Sequence, residues 1–264
     1  MRIWIILLVV LESAIAACPV AGHGDTVHTL RLANGEWFDG HAFVRRDFYS
    51  VEGALRNHWS GAVEETLDLS GRFVVPAFAD AHSHLFSDTA GFAADLERDL
   101  RAGVLFVKNP NNPTSLVSAM RKRVNQARTV DVVYANGGLT AGNGHPAQIY
   151  DGATATASPR WIDDAYFTID DRKQLELKWP RVVAGRPDFI KVYLEHSEAH
   201  AARSHDPTRR GGFGLDPALL PTIVRRAHGA GLTVSAHVAS AADFRVAMTS
   251  GVDEITHLPL ERLA

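Results

Sequence analysis

From residue 77 onward, strand-like and helix-like stretches alternate along the chain. Apolar strand patterns occur in "FADAHSHLF", "VLFVKN", "DVVYANGG", "FIKVYLEH", "TVSAHV" and "EITHLP", and most are separated by helical patterns. Alternating strands and helices form parallel sheets with crossover helices. The pattern therefore predicts an α/β fold with six parallel strands, which suits either a doubly wound sheet or part of a (β/α)8 TIM-type barrel.

The helical stretches also carry local signals. A helix is expected over 114–127 with Thr114 as its N-cap, and another over 170–185, where Pro180 could break it. Residues 140–165 are rich in Gly, Ala, Thr and Pro and predict a long loop.

Residues 27–76 have a different sequence pattern, with short apolar runs broken by turn residues. Asn34-Gly35 and Asp39-Gly40 are strong turn dipeptides. The pattern predicts a small all-β module that precedes the α/β part at 77–264.

The first 18 residues resemble an export signal. Arg2 is followed by a short apolar run and by small residues, which is the order of a signal peptide, and a buried N-terminal strand or helix is the alternative. Ile15-Ala16-Ala17-Cys18 resembles a bacterial lipobox, so Cys18 would be lipidated, or cleavage would fall nearby and leave it unmodified. The prediction is an exported protein, either periplasmic or anchored to the membrane through Cys18.

Composition argues against nucleic-acid binding and against an internal disulfide. The chain has 264 residues, a formal net charge of -3 and no basic stripe, so nucleic acid is not an expected partner. Its single cysteine rules out an internal disulfide.

Histidine and lysine side chains interrupt the apolar strands. In an extended chain, Asp80, His82 and His84 would share one face, because residues two apart point to the same side. Lys191, His237 and His257 lie near the carboxyl ends of later strands. These ends converge on one face of a TIM barrel, where active sites are built, whereas a flat sheet would spread them apart. The histidines therefore favour the barrel.

Imidazoles are good ligands for zinc and similar divalent metals. Two of them at i and i+2 can reach one ion. Lys191 is a donor-only cation and would repel a metal, unless its amine reacts with carbon dioxide to give an anionic carbamate.

The stretches "VVPAFADAHSHLF", "DFIKVYLE", "VSAHV" and "DEITHLP" resemble, in that order and spacing, the amidohydrolase superfamily, particularly its imidazolonepropionase- and prolidase-like branch. The resemblance covers roughly 27–264. It implies a TIM-type barrel beside a small β-sandwich, of which 27–76 would be the N-terminal part. It also implies two divalent ions, expected to be Zn²⁺, with a ligand set of His82, His84, carboxylated Lys191 as the bridge, His237 and His257.

Other residues receive roles around this centre. Asp80 is expected to orient neighbouring groups, as carboxylates beside metal ligands commonly do. Tyr193 and His145 are candidates for substrate contact, with His145 alternatively a plain loop residue.

The chain departs from the family in two places. Ala77 stands where the family usually has glycine, and the family's catalytic aspartate, at the end of the eighth strand, has no counterpart before the chain stops seven residues after His257. Two further βα units and more sandwich strands would need on the order of 100–150 residues. We expect a C-terminally truncated chain that is inactive alone.

The resemblance implies hydrolysis of a carbon–nitrogen bond of a small molecule, such as a dipeptide amide or cyclic amide, by a metal-bridged hydroxide. Hydrolysis of a lactone or phosphoester by the same metals is an alternative, and an inactive remnant that binds metal or a small molecule is another. The sequence does not specify the substrate, the native metal or the oligomeric state.

Overall fold

The computed structural model describes residues 29–151, 160–259 and 261–262, which belong to two compact units that divide after Pro76. The export signal predicted at 1–18, with Cys18, lies outside the described residues. Among the helices that are described, none is long and apolar enough to cross a membrane.

The N-terminal unit is built around one five-stranded sheet. Its strands are β1 (Leu30–Phe38), β2 (Phe43–Val51), β3 (Ala54–Arg56), β4 (Glu65–Asp68) and β5 (Phe73–Val74). β1 lies in the middle of the sheet, antiparallel to β2 and parallel to β4 and β5, while β3 pairs with β2. The β-sandwich implied by the family resemblance stays a prediction.

One of the two turns predicted in this unit is wrong. Asn34 does not end a strand: β1 runs through it, and the pairing with β2 shifts between Leu32 and Gly35 as a bulge. Asn34 adopts φ of 64°, a left-handed conformation that asparagine tolerates better than most residues. The chain reverses at Asp39, whose carboxylate accepts hydrogen bonds from the backbone N–H groups of His41 and Ala42.

The second unit contains the predicted parallel strands. β6, β7 and β8 form one parallel sheet, and β9, β11, β12 and β13 pair in that order in another, with β10 outside β9. The stretch 131–140 ends the first sheet as β8 and begins the second as β9. The strands are β6 (Phe78–Asp80), β7 (Val104–Asn109), β8 (Asp131–Tyr134), β9 (Gly138–Thr140), β10 (Tyr166–Thr168), β11 (Ile190–Tyr193), β12 (Val234–His237) and β13 (Glu254–Ile255).

Helices cover the outside of these strands. They are α1 (Phe92–Ala102), α2 (Thr114–Met120), α3 (Ala147–Asp151), α4 (Arg172–Ala184), α5 (His200–Ser204), α6 (Leu220–Gly229) and α7 (Ala241–Thr249). Apolar side chains of α4 and α6 pack with Ile190 and Val192 of β11 in the larger core cluster, while α2 packs with β7 and β8 in a second one. The parallel strands with their packed helices confirm the predicted TIM-barrel class. The six strands expected from the sequence correspond to β6, β7, β8 with β9, β11, β12 and β13, and β10 is additional.

Three local predictions fail in this unit. α2 is shorter than expected, and its N-cap is Pro113, because the Thr114 hydroxyl donates to the backbone carbonyl of Asp164 instead of capping the helix. α4 continues through Pro180, since buried Trp179 and Val182 on either side hold that helix against the core. The expected loop over 140–165 contains α3.

Gly214 gives a first test of this fold. A Cβ atom there would lie 2.4 Å from the carbonyl oxygen of Tyr193 and 2.8 Å from the backbone nitrogen of Glu195. We expect Gly214→Ala to lower the free energy of unfolding by about 1–3 kcal/mol, since the overlap is with backbone atoms. Gly229→Ala is the matched control: it ends α6 with open space around it and should be neutral or stabilising by up to about 1 kcal/mol. Equal denaturation midpoints for the two variants would contradict the packing at Gly214.

Candidate metal centre

A cavity of about 300 Å³ lies at the carboxyl ends of the barrel strands. All five side chains that the family resemblance implies as metal ligands line it, together with His145 and Tyr193. The remaining lining residues are Pro110, Asn111, Pro146, Ile149 and Tyr150.

His82 and His84 lie after β6 rather than in it, so their predicted place on a single strand is wrong. The Asp80 carboxylate accepts a hydrogen bond from the backbone N–H of His82 at 3.0 Å, and this local turn ends the strand. Asp80 therefore does orient the histidine segment, through its backbone. The two rings still meet, with centroids 5.3 Å apart.

His84 is held by a backbone carbonyl. Its Nδ1 lies 3.3 Å from the oxygen of Asn111, and a carbonyl can only accept, so Nδ1 carries the proton. Nε2 then keeps the lone pair that a metal ligand needs. Asn111 is itself fixed, because its amide donates to the Tyr150 hydroxyl at 2.5 Å and its side-chain oxygen accepts from the Gly138 backbone.

Lys191 is deeply buried in β11, with 2% of its surface exposed. Its amine donates to the hydroxyl of Thr256, and burial lowers its pKa from 10.5 to about 7, with Glu254 opposing the shift. Glu254 in turn forms an ion pair with Lys108. The lowered pKa of Lys191 favours the free amine, which is the form that reacts with carbon dioxide.

His237 ends β12 and has a partner on each ring nitrogen. Nε2 lies 2.9 Å from a carboxylate oxygen of Glu195, and Nδ1 lies 2.7 Å from Nε2 of His257. Since the carboxylate accepts, Nε2 carries the proton and Nδ1 faces His257 with its lone pair. His257 also stacks on His82, with centroids 5.6 Å apart, and thus joins the two pairs of histidines.

The imidazoles of this cavity are neutral at physiological pH. Burial lowers the pKa of His82 to about 4 and that of His237 to about 3, and the positive charge of Lys191 in its ammonium form adds to both shifts. Burial likewise lowers the pKa of His84 and His257. Neutral imidazole is the form that binds metal, so this donor set fits a divalent transition ion.

The two predicted substrate-contact residues line the same cavity. The His145 ring lies 5.2 Å from that of Tyr193 and stacks 4.4 Å from that of His237. Burial lowers the pKa of His145 to about 4 and raises that of Tyr193 well above 10. Both side chains are therefore neutral hydrogen-bonding groups near the histidine cluster.

Sequence reasoning missed Glu195 and Asn111. Glu195 continues the alternation of Lys191 and Tyr193 beyond the end of β11, and this period of two could have indicated it. Its carboxylate is largely buried beside His237. Asn111 lies in the "NPNNP" stretch after β7, a loop that offers no distinctive signal beyond its position at a strand end.

Solved structures of hydrolases share this fold. A putative prolidase from Bifidobacterium longum matches with a TM-score of 0.61 and 17% identity, covering 87% of this chain and 54% of its own. A prolidase complexed with N-methylphosphonate-L-proline matches with a TM-score of 0.62 and 15% identity, covering 85% and 59%. An ochratoxinase of A. niger matches with a TM-score of 0.59 and 16% identity, covering 88% and 60%.

These matches confirm the fold expected from the amidohydrolase resemblance. At such low identity they establish the fold alone. The chain spans about three fifths of the length of the first solved structures that it matches, 59% in each of two cases. No family model and no curated protein matches the sequence.

Proposed function

We propose that this chain carries the metal centre of a metal-dependent hydrolase of the amidohydrolase superfamily, which cleaves a carbon–nitrogen bond in a small molecule. The observation that carries the proposal is the convergence of four histidines and one buried lysine in one cavity, from chain positions 82 to 257. Such a donor set is costly to bury without a ligand, because each imidazole needs partners away from water.

In this proposal, His82 and His84 would hold one divalent ion, His237 and His257 would hold a second, and carboxylated Lys191 would be a ligand shared by both. Bound ions would lower the pKa of a coordinated water toward neutrality and polarise a scissile carbonyl. We propose Zn²⁺ because imidazole suits it.

The protein's own residues orient this centre and the substrate. Asn111 fixes the His84 ring, and the Glu195 carboxylate fixes that of His237. Tyr193 and His145 are placed to donate hydrogen bonds to polar groups of a substrate. Pro110 adds apolar wall to the cavity, which limits access of bulk water.

Metal content tests the centre without requiring turnover. We expect the 264-residue chain to bind close to two zinc ions after dialysis, measured by mass spectrometry of the metal. His82→Ala with His84→Ala should remove at least one ion, whereas His228→Ala, which alters an exposed histidine paired with Asp253, should remove none. Loss of zinc from the His228 variant, or none from the double variant, would argue against the centre.

A substrate panel separates the proposed reaction from its alternatives. The names of the matched structures favour an amide bond, such as that of a dipeptide ending in proline. The panel should therefore compare such dipeptides with a lactone and a phosphotriester, before and after a chelator and with zinc, manganese or cobalt restored. Turnover of the lactone or the phosphotriester alone would support the alternative hydrolase.

The predicted location also stays a proposal. An export signal at 1–18, with or without lipidation of Cys18, would place this chemistry in the periplasm or at the membrane. A labelled fatty acid incorporated into the wild-type chain but not into a Cys18→Ser variant would establish the anchor.

A further inference from the structure

Two cavities have His145, His237 and His257 in common among their lining residues. The first is the 300 Å³ cavity with His82, His84 and Lys191, and the second, of about 520 Å³, is also lined by Gln148 and Glu195. The Nδ1 edge of His237 faces His257, while its Nε2 edge faces Glu195, in a direction that the five-residue centre does not use.

A second set of metal donors surrounds this Nε2 edge. His145, Glu195 and His237 each offer one ligand atom, and these atoms all lie within 4.8 Å of one another. Two imidazoles and one carboxylate are the protein ligands of a common type of zinc site, which keeps its fourth position open for water or substrate. The second cavity supplies space on that open side.

Charge supports a cation at this position. The Glu195 side chain is largely buried, with 17% of it exposed. Within residues 29–151 and 160–259, no lysine or arginine lies within ion-pair distance of its carboxylate, and the basic group that does is the His237 imidazole. A partly buried carboxylate without a cation is unfavourable, and a bound metal ion would compensate it.

The side chain of Gln148 also indicates that His145 can act as a metal ligand. The side-chain nitrogen of Gln148 lies 2.8 Å from Nδ1 of His145, whereas its side-chain oxygen is buried without a partner in the described residues. Turning the amide around would let that oxygen accept a hydrogen bond from the Nδ1–H group of His145. The lone pair of His145 would then reside on Nε2.

We propose that His145, Glu195 and His237 form a separate site for a divalent transition ion such as Zn²⁺, which shares only His237 with the five-residue centre. The sharing makes the two sites compete. A neutral imidazole has one lone pair, so the tautomer protonated on Nε2 serves the five-residue centre, and the tautomer protonated on Nδ1 serves the new one. The second tautomer can donate Nδ1–H to His257, so neither requires a change in net charge.

The test isolates the new site by removing the other one. In the full 264-residue chain, His82→Ala, His84→Ala and Lys191→Met together delete three ligands of the five-residue centre and leave the new triad intact. We expect this background variant to retain one zinc ion per chain. Adding Glu195→Gln should weaken zinc binding by at least about 10–100-fold, the loss caused by removing even an indirect metal partner. Zinc is measured by competition with a chromogenic chelator.

Two further variants sharpen the result. Glu198→Gln makes the same change three residues away, where the carboxylate binds Ser240 and His196 outside the triad, and should leave the affinity unchanged. Glu195→His should restore binding, because three histidines also hold zinc. Cobalt in place of zinc should give visible absorption bands that shift in intensity between the Glu195 and Glu195→His forms, and circular dichroism confirms that each variant is folded.

A background variant that binds no zinc while folded would overturn the proposal, as would zinc binding indifferent to Glu195→Gln. The outcome for the proposed function is distinct. Zinc binding that requires Lys191 and His82 but not His145 or Glu195 would support the five-residue centre alone. Glu195 would then only orient His237. Zinc retained by the background variant supports the new site even if the five-residue centre binds none.

Discussion

Replacing Lys191 by alanine is expected to abolish the bridging carbamate and to weaken binding of the second metal ion by at least about 100-fold, the upper range for losing an indirect partner. The reason is its setting: the amine is buried, its pKa is lowered to about 7, and no other lysine lines the cavity in the described residues. Lys191→Arg should lose as much, because a guanidinium stays cationic. Metal titration measures both effects, and labelled bicarbonate should give a carbamate signal by ¹³C NMR in the wild type only.

Controls for this prediction come from the same unit. Lys178→Ala removes another largely buried lysine, which binds Asp163 and Thr168 away from the cavity, and should leave metal affinity and the carbamate signal intact. Adding a short carboxylic acid should partly rescue the Lys191→Ala variant. An arginine variant that still binds two ions would refute the carbamate role.

Replacing Asp243 is expected to lower the free energy of unfolding more than any other single substitution outside the metal centre. Its carboxylate is fully buried at the start of α7 and accepts hydrogen bonds from the backbone of Ser197, His196, Ala239 and Ser240 and from the Ser197 hydroxyl. Asp243→Ala leaves these donors without a partner, and we expect a loss of about 3 kcal/mol or more in the free energy of unfolding. Denaturant titration measures it.

The pH dependence of this effect has a definite sign. Burial alone would raise the pKa of Asp243, but the hydrogen bonds from Ser197 and neighbouring backbone groups outweigh it and hold the pKa below 3.8. A carboxyl with a lowered pKa stabilises the fold above its unfolded pKa and loses this contribution as the pH falls through its folded pKa. The difference in the free energy of unfolding between the wild type and Asp243→Asn should therefore be largest above about pH 4 and should decrease as the pH falls below it.

Asp216→Ala is the matched control for Asp243. Asp216 is also a capping aspartate, but its side chain accepts from the Ala218 backbone near the surface, so its loss should cost only about 1 kcal/mol. Similar losses at the two positions would show that the Asp243 hydrogen bonds contribute little.

The barrel could be predicted because its strands read as apolar runs, and β11 and β12 are buried along nearly their whole length, so that a polar residue stands out in them. Lys191 and His237 stood out for that reason, and both lie inside their strands. The β-branched and apolar neighbours that bury them also fix their direction. The sequence pattern was therefore sufficient to bring distant residues to one end of the sheet.

Strand ends were harder to predict, because a short-range hydrogen bond decides them. The carboxylate of Asp80 ends β6 before His82, although the apolar pattern continues. Glu195 was missed since it follows β11 and looks like a loop charge, although its alternation with Lys191 and Tyr193 indicates the face on which it lies. Its contact with His237 depends on how β11 and β12 lie side by side, which only the folded chain shows.

The pairing of β11 with β12, and of β12 with β13, also determines the chemistry of the cavity. Lys191 pairs with Ser235 and faces inward, while Ile190 and Val192 pack in the apolar cluster with the helices. A slip of one residue would exchange these faces, place an amine among apolar side chains and empty the cavity of its lysine. A metal ion held by Lys191 and His237 would bind only the correctly registered sheet and would stabilise it by mass action. Metal bound during folding would thus favour the correct strand register over a register shifted by one residue.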